Sequence, residues 1–278
     1  MRSCSSMLRG VRAMTLPAPV TARTLLRAMP SPATRCARQM RTSTQPAQRA
    51  GSDFHEMRER DLLRHVIETA PEGDAQAVLN SMDEFWDTYF NGAGSAEWKL
   101  RGSALDNAIA KAQPGLCMEL GTYCGYTAVR IGRLLPPGAK LVSVEIEPLF
   151  AAIASKVVEH AGLRDVVSIE IGSVMGRLPA IQKKHGNGPL CALLLDHKVS
   201  EFLPDLQFLE KASMLSKSTL VLCDWNLYPG SSESAVAPSA GDDFMAYLKE
   251  REAGKSHTMR HMLGGKEVFS VSSWDGVV

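Results

Sequence analysis

The sequence predicts an α/β fold in which a mostly parallel β-sheet carries helices on both faces. After about residue 114, short apolar segments alternate with segments of helical periodicity, and such alternation produces parallel strands joined by right-handed crossovers. The short segments are apolar throughout, as strands buried on both faces must be. A glycine turn, with Gly121 and Gly125, follows the first of these segments directly. Together these features favour an open sheet with a ligand cleft at one edge.

The first 52 residues differ in composition from the rest of the chain. They contain nine arginines but no lysine, aspartate or glutamate, which is typical of a cleavable, disordered mitochondrial presequence. A plain disordered tail, or a start site placed too far upstream, would explain the same composition. Residues 53–278 are acidic overall, which argues against a nucleic-acid partner. No apolar run reaches the ~18 residues of a membrane span, and the scattered cysteines predict neither a zinc site nor a disulfide framework.

Residues 53–113 are predicted to form N-terminal helices. The first has apolar residues at helical spacing from Leu62 to Ile67, and 71–74 break it and cap the next helix. That second helix contains Val78 and Met82, and a third runs through Leu105 and ends before Pro114.

From residue 116 onwards, strands and helices alternate. The predicted strands are Leu116–Leu120, Leu141–Val144, Val166–Ile171, Leu190–Leu195, Thr219–Cys223 and Val268–Val271. The predicted helices are Ala128–Leu135, Leu149–His160, Val174–Lys184, Leu203–Met214 and Phe244–Arg251.

Four of these strands end in or beside an acidic residue: Glu119, Glu145, Asp196 and Asp224. Ligands of open α/β sheets bind beyond the carboxyl ends of the strands. The acids are therefore candidate ligand-binding residues, although isolated acids also flank strands as solubilising residues.

The glycine turn and Glu145 predict a nucleoside-binding site. Glu145 lies 20 residues after Gly125, at the end of the second strand, where a carboxylate can accept hydrogen bonds from ribose hydroxyls. A dinucleotide site needs G-x-G-x-x-G, because the pyrophosphate rests on backbone amides; here the spacing is G-x-x-x-G after Glu119. A carboxylate at that position suits a positively charged cofactor, and S-adenosylmethionine (SAM) has both an ammonium and a sulfonium group. Gly172 and Asp196 lie at the same predicted sheet edge and also belong to the candidate cofactor-binding set.

Asp196 and Asp224 also predict a metal site. They end strands that this topology places side by side, and paired carboxylates are typical ligands of Mg²⁺. Such an ion would bind neighbouring oxygens of an acceptor and lower the pKa of a hydroxyl. Two helix-capping aspartates would produce the same pattern.

Several motifs resemble the catechol O-methyltransferases. The similar segments are Glu-Leu-Gly-Thr-Tyr-Cys-Gly-Tyr-Thr-Ala-Val-Arg at 119–130, Arg-Leu-Leu-Pro-Pro-Gly-Ala at 133–139, Leu-Asp-His at 195–197, Leu-Pro-Asp at 203–205 and Asp-Phe-Met-Ala-Tyr at 243–247. The resemblance covers roughly residues 55–275 and implies a Rossmann-like, SAM-dependent methyltransferase fold with a seven-stranded sheet. It also implies a SAM pocket lined by Glu119, Gly121, Tyr123, Thr127, Glu145 and His197, with magnesium on Asp196 and Asp224. The implied reaction is attack of a catechol oxygen on the sulfonium methyl group, with a lysine as general base.

The chain departs from the family pattern at the base and at one metal ligand. Val199 stands at the position of the family lysine and Lys198 precedes it, so Lys198 is the candidate base, with a solvated loop lysine as the alternative. Trp225 stands where the family has a metal-binding asparagine, and Asn226 follows. Asn226 is therefore the candidate third ligand, unless water replaces it. Trp225 would then either line the substrate mouth or anchor the loop.

Three functional hypotheses follow, all for a monomer that acts on or binds small molecules. The first is methylation of a catechol or similar diol with magnesium. The second is metal-free methylation of another small phenol. The third is a SAM-binding protein without catalysis. A nicotinamide oxidoreductase is a further, less well matched reading of the same nucleoside-binding features.

Overall fold

The computed structural model describes residues 53–92, 95–225, 238–251, 259–263 and 266–273. The predicted presequence and Asn226 lie outside these residues. The described helices are α1 (Asp53–Thr69), α2 (Ala75–Tyr89), α3 (Ser95–Ile109), α4 (Tyr126–Gly132), α5 (Pro148–His160), α6 (Val174–His185), α7 (Val199–Lys211) and α8 (Pro238–Arg251). The strands are β1 (Leu116–Leu120), β2 (Lys140–Glu145), β3 (Val167–Ile171), β4 (Ala192–Leu195), β5 (Leu220–Asp224), β6 (Met259–Leu263) and β7 (Lys266–Ser273).

The strands form one seven-stranded sheet in the order β3-β2-β1-β4-β5-β7-β6. Neighbours from β3 to β5 pair in parallel, whereas β7 runs antiparallel to both β5 and β6. The chain moves outward from β1 to β3 and then returns to β4 on the other side of β1. This reversal places a topological switch point, the usual location of a ligand cleft, between β1 and β4.

The structure confirms the predicted fold class and every strand that the sequence located. Strand β6 was not located, because it pairs only with β7 at the edge of the sheet and its sequence has no uniform apolar run.

Both faces of the sheet are covered, which explains why its parallel strands are apolar throughout. Cys117 belongs to the core cluster on one face, together with buried residues of α1 to α5. The next residue, Met118, belongs to the cluster on the other face, with buried residues of α6 to α8. Successive side chains of a strand point to opposite faces, so neither face of β1 tolerates a solvated residue.

Helix α7 starts one turn earlier than the sequence predicted. The sequence predicted a helix at Leu203–Met214. In the structure the helix begins at Val199, with Pro204 inside it. This difference places Lys198 at the N-cap, directly after the end of the β4 loop. Among the described residues, no helix is both long and apolar enough to cross a membrane.

Candidate active site

The glycine turn after β1 touches the loop after β4. Gly121 has a φ of +95°, a conformation that glycine adopts without strain. A Cβ atom at this position would lie 2.2 Å from the carbonyl oxygen of Asp196 and 2.9 Å from the Cβ of His197. Gly125 has a φ of +87° and caps α4, close to Ala154. Gly121 therefore allows the β1 and β4 loops to meet at the switch point, and Gly125 allows the start of α4 to pack closely against α5.

Glu119 is a fully buried carboxylate at the base of this turn. It accepts hydrogen bonds from the hydroxyl groups of Thr127 and Ser143. Burial raises the pKa of Glu119 to about 7, and the negative charge of Glu145 adds to this, although the two hydroxyl hydrogen bonds oppose it. A cationic ligand placed nearby would favour the ionised form.

Glu145 holds the glycine turn in place. Its Oε2 accepts the backbone N–H of Thr122 at 3.1 Å and that of Tyr123 at 2.8 Å. Its Oε1 accepts the N–H of Glu147 at 2.9 Å. The predicted ribose ligand therefore also fixes the backbone around the cofactor cleft, a role that the sequence did not indicate.

Tyr123 connects the turn to helix α1. Its backbone has a φ of +47°. Its hydroxyl donates a hydrogen bond to the buried Glu59 and accepts one from Arg58 at 3.1 Å. The ring stacks on Trp86 with centroids 6.3 Å apart. The sequence analysis missed Glu59, although its spacing of three residues from the apolar Leu62 puts it on the buried face of α1.

His197 has one nitrogen bound and one without a partner. Nε2 lies 3.0 Å from Oδ2 of Asp205, and because a carboxylate only accepts, Nε2 donates. The buried Nδ1 has no hydrogen-bond partner among the described residues. Buried polar atoms of native proteins are nearly always satisfied, so Nδ1 is available to a bound cofactor. Gly172, with a φ of +134°, ends β3 at the same edge of the sheet.

Asp196 and Asp224, here called the acid pair, are bridged by Arg101, a residue that was not among those predicted for the site. Arg101 Nε donates to Asp224 Oδ2 at 2.5 Å, and Nη2 binds the same oxygen. The same Nη2 lies 3.8 Å from Asp196 Oδ1. Burial and the charge of Asp224 raise the pKa of Asp196 well above its usual range, against the opposing effect of Arg101. Arg101 is four residues before the buried Leu105, so its place on the apolar face of α3 was a usable signal.

The predicted magnesium site does not match the described residues well. No group of three or more acidic, histidine or cysteine side chains there is arranged to hold a metal. Two carboxylates attract a doubly charged ion, and the single positive charge of Arg101 repels it. By Coulomb's law, if all three groups are equally far from the ion, the guanidinium cancels about half of that attraction. Trp225, at the position of the third ligand, has no oxygen and donates its indole N–H to Ser270 at 3.0 Å. The described residues therefore do not fit a magnesium ion at this position.

Lys198, Val199 and Trp225, where the chain departs from the family pattern, have different surroundings in the structure. Lys198 is exposed and Val199 is buried, so only the lysine can meet a solvated acceptor. Trp225 packs against Phe202 and Phe244, with ring centroids 5.7 and 5.8 Å apart. Of the two roles considered for Trp225, these contacts favour the packing anchor.

A sheet with this topology, a glycine turn at the switch point and acids at the carboxyl ends of β1 (its penultimate residue) and β2 (its last residue) define a SAM-binding methyltransferase. The polar groups at hand fit SAM: the buried carboxylate of Glu119 suits a cation, and the Nδ1 of His197 needs a partner.

Comparisons with known proteins agree with this class. A sequence model of the family described as O-methyltransferase matches residues 105–241. Catechol O-methyltransferase of Mus musculus is 38% identical over 197 residues, which are 69% of this chain and 68% of that protein. Catechol O-methyltransferase B of Danio rerio is 33% identical, over 70% of this chain and 69% of that protein. The structure of the Podospora anserina methyltransferase PaMTH1 bound to SAH matches with a TM-score of 0.53, 17% identity and coverage of 83% of this chain and 99% of that one, which supports the fold.

The chain therefore belongs to the catechol O-methyltransferase family of class I SAM-dependent O-methyltransferases. It is an enzyme that uses SAM for O-methylation, and the nicotinamide reading of the glycine turn was wrong.

Proposed function

We propose that this enzyme transfers the methyl group of SAM to one hydroxyl of a catechol or a catechol-like small molecule. The observation that carries the proposal is the contact between the glycine turn and Asp196, because it puts the acid pair directly beside the cofactor cleft. The family relatives named as catechol O-methyltransferases support the acceptor class. The magnesium implied by the resemblance is not part of this proposal, because the described residues at the acid pair do not fit it well.

The residues of the chain would act chiefly by alignment. SAM, when bound, supplies an electrophilic methyl group on a sulfonium. The carboxylates of Glu119 and Glu145 and the Nδ1 of His197 would hold the cofactor, while the glycine turn allows its close approach. Holding two reactants in a line of attack accelerates a displacement by a large factor without any covalent intermediate. The acceptor hydroxyl loses its proton to a base, for which Lys198 is the candidate.

The test is a methylation assay with the full-length chain, SAM and three acceptors: catechol, phenol and 2-methoxyphenol. We expect kcat/KM for catechol to exceed that for phenol by at least about tenfold, because only a diol presents two oxygens to the acid pair; one well-placed polar contact can supply a discrimination of that size. Lys211→Met removes a lysine at the far end of α7 and is the control for Lys198→Met, the variant that tests the candidate base. Binding of SAM without turnover of any acceptor would contradict the proposal.

A second candidate function is methylation of a phenol with a single hydroxyl. The packing of Trp225 favours it, because the residue at the third ligand position contributes no oxygen. In that case phenol and catechol would react with similar kcat/KM.

We also propose that residues 1–52 direct the protein to mitochondria. Their nine arginines and absence of acids support this. A fusion of residues 1–52 to a fluorescent protein should localise to mitochondria, and the same fusion with its arginines replaced by glutamine should not.

A further inference from the structure

The guanidinium of Arg101 takes up the position that links the two carboxylates of the acid pair. It donates twice to Asp224, at 2.5 Å from Nε and through Nη2. It lies 3.8 Å from Asp196. A guanidinium stays charged at any pH that a folded protein meets, so the acid pair has a permanent counter-ion from its own chain.

The helix that carries Arg101 is fixed independently of the acid pair. Arg130 Nε donates to the carbonyl of Gly102 at 3.0 Å and to Asp106 at 2.9 Å. A Cβ atom at position 102 would lie 2.5 Å from the guanidinium carbon of Arg130, so the two elements are in close contact. Leu105 on the same helix is buried in the core. These contacts hold Arg101 in place from its own side of the site.

Arg101 also lines a small pocket beside the cofactor cleft. Other walls of this pocket are Leu105, Tyr126, Thr127 and Asp224. Thr127 donates its hydroxyl hydrogen bond to Glu119, so the pocket extends between the cofactor-binding end of the site and the acid pair. A guanidinium in such a wall can stabilise the acceptor oxygen when the hydroxyl gives its proton to the base and the oxygen becomes negatively charged, before that oxygen attacks the methyl group.

We propose that Arg101 is the built-in cation of this enzyme: it occupies the acid pair in place of a divalent metal and orients the acceptor oxygen. The first part, that Arg101 occupies the acid pair, does not depend on which reaction the enzyme catalyses. The second part, that Arg101 orients the acceptor oxygen, rests on the proposed function. The two parts are therefore tested by different measurements.

The first measurement is binding of Mn²⁺, a hard cation that prefers the same oxygen ligands as Mg²⁺, to the full-length chain. Free Mn²⁺ is followed by electron paramagnetic resonance. We expect no stoichiometric binding to the native chain at about 1 mM metal. Arg101→Met removes the guanidinium from the two carboxylates and should raise the affinity for Mn²⁺ by at least about tenfold. This scale follows from the loss of one repulsive charge. Arg101→Lys keeps the charge and should not gain affinity.

Two controls make the result specific. The gain in Arg101→Met should disappear when Asp224→Asn is added. Arg133→Met removes another partly buried arginine, which pairs with Asp106, and should not create a metal site. Tight Mn²⁺ binding by the native chain that is lost in Asp224→Asn would overturn the proposal, and this measurement needs no arginine variant to fold.

The second measurement concerns the acceptor. With catechol and SAM, we expect a chelator to leave the rate of the native chain within about twofold. We expect Arg101→Met to lose at least about 100-fold in kcat, with partial recovery in Arg101→Lys; that loss is typical of removing one oxyanion donor. Native activity that a chelator abolishes would overturn this part. If no acceptor turns over at all, the proposed function fails, while the Mn²⁺ titration still decides what occupies the acid pair.

Discussion

The carboxylate of Glu145 accepts the backbone N–H of Tyr123 at 2.8 Å and thereby ties the end of β2 to the glycine turn after β1. The residue predicted to bind ribose thus also shapes the cleft.

Replacing Glu145 by alanine should therefore weaken SAM binding and destabilise the fold together. We expect at least a tenfold rise in the Kd for SAM and a loss of about 1–3 kcal/mol in the free energy of unfolding, the usual cost of orphaning buried groups. Calorimetric titration and urea unfolding measure the two. Glu147→Gln, an exposed neighbour, is the control. An unchanged Kd in Glu145→Ala would remove Glu145 from the cofactor site.

Glu119 should give the stability of the protein a specific pH dependence. Burial raises its pKa from 4.5 to about 7 in the folded chain, so the unfolded state loses this proton first as the pH rises. The contribution of protonated Glu119 to the stability of the folded state is complete below about pH 4.5 and is lost as the pH rises to about 7. At about 1.4 kcal/mol per unit of pKa, the loss amounts to about 3 kcal/mol. The difference in unfolding free energy between the native chain and Glu119→Gln should fall by that amount across this range. A difference that stays constant would contradict the assignment.

Gly121→Ala should be more destabilising than a glycine substitution that causes only backbone strain. The new methyl group would meet the carbonyl of Asp196 at 2.2 Å, whereas Gly138, with a similar φ of +88°, has no atom within 4 Å of that position. We expect Gly138→Ala to cost about 1–2 kcal/mol, the penalty of the left-handed conformation, and Gly121→Ala clearly more. Urea unfolding of both variants tests this, and equal losses would show that the β1 and β4 loops separate without cost.

Lys198→Met tests the candidate base. Because the lysine is exposed at the N-cap of α7, the substitution should leave the fold intact. We expect kcat to fall about 100-fold or more, the typical contribution of general acid–base catalysis, with the Kd for SAM unchanged. A kcat similar to that of Lys211→Met would exclude Lys198 as the base.

The contact between Tyr123 and Glu59 should be energetically coupled. Glu59 is fully buried, and its Oε1 accepts hydrogen bonds from the hydroxyl of Tyr123 and from the guanidinium of Arg58. Tyr123→Phe should therefore cost about 1–3 kcal/mol. Tyr89→Phe, which changes a half-exposed ring, should cost within about 0.5 kcal/mol. A double-mutant cycle with Glu59→Gln should show a coupling of about 0.5–3 kcal/mol, and strictly additive losses would contradict it.

Local sequence patterns were sufficient to predict those elements whose signal lies in neighbouring residues. Strand β1 has the predicted bounds Leu116–Leu120, because five apolar or core-facing residues between a Pro-Gly break and a glycine turn leave little choice. Asp196 and Asp224 were predicted to lie at adjacent strands, and β4 pairs with β5. Strand β6 escaped prediction although its partner β7 follows it directly in the chain, because Met259–Leu263 has neither a uniform apolar run nor a strict alternation of apolar and polar residues.

The sequence by itself determined the alternation of strands and helices, the glycine turn and the acids at the ends of the strands, because each is a property of short segments with a fixed period. Only the tertiary structure decided what those acids contact. Arg101 reaches Asp224 across 123 positions of the chain, and Glu59 reaches Tyr123 across 64. Such contacts depend on how helices pack onto the sheet, since side-chain distances between remote segments are set by the packing of the whole core.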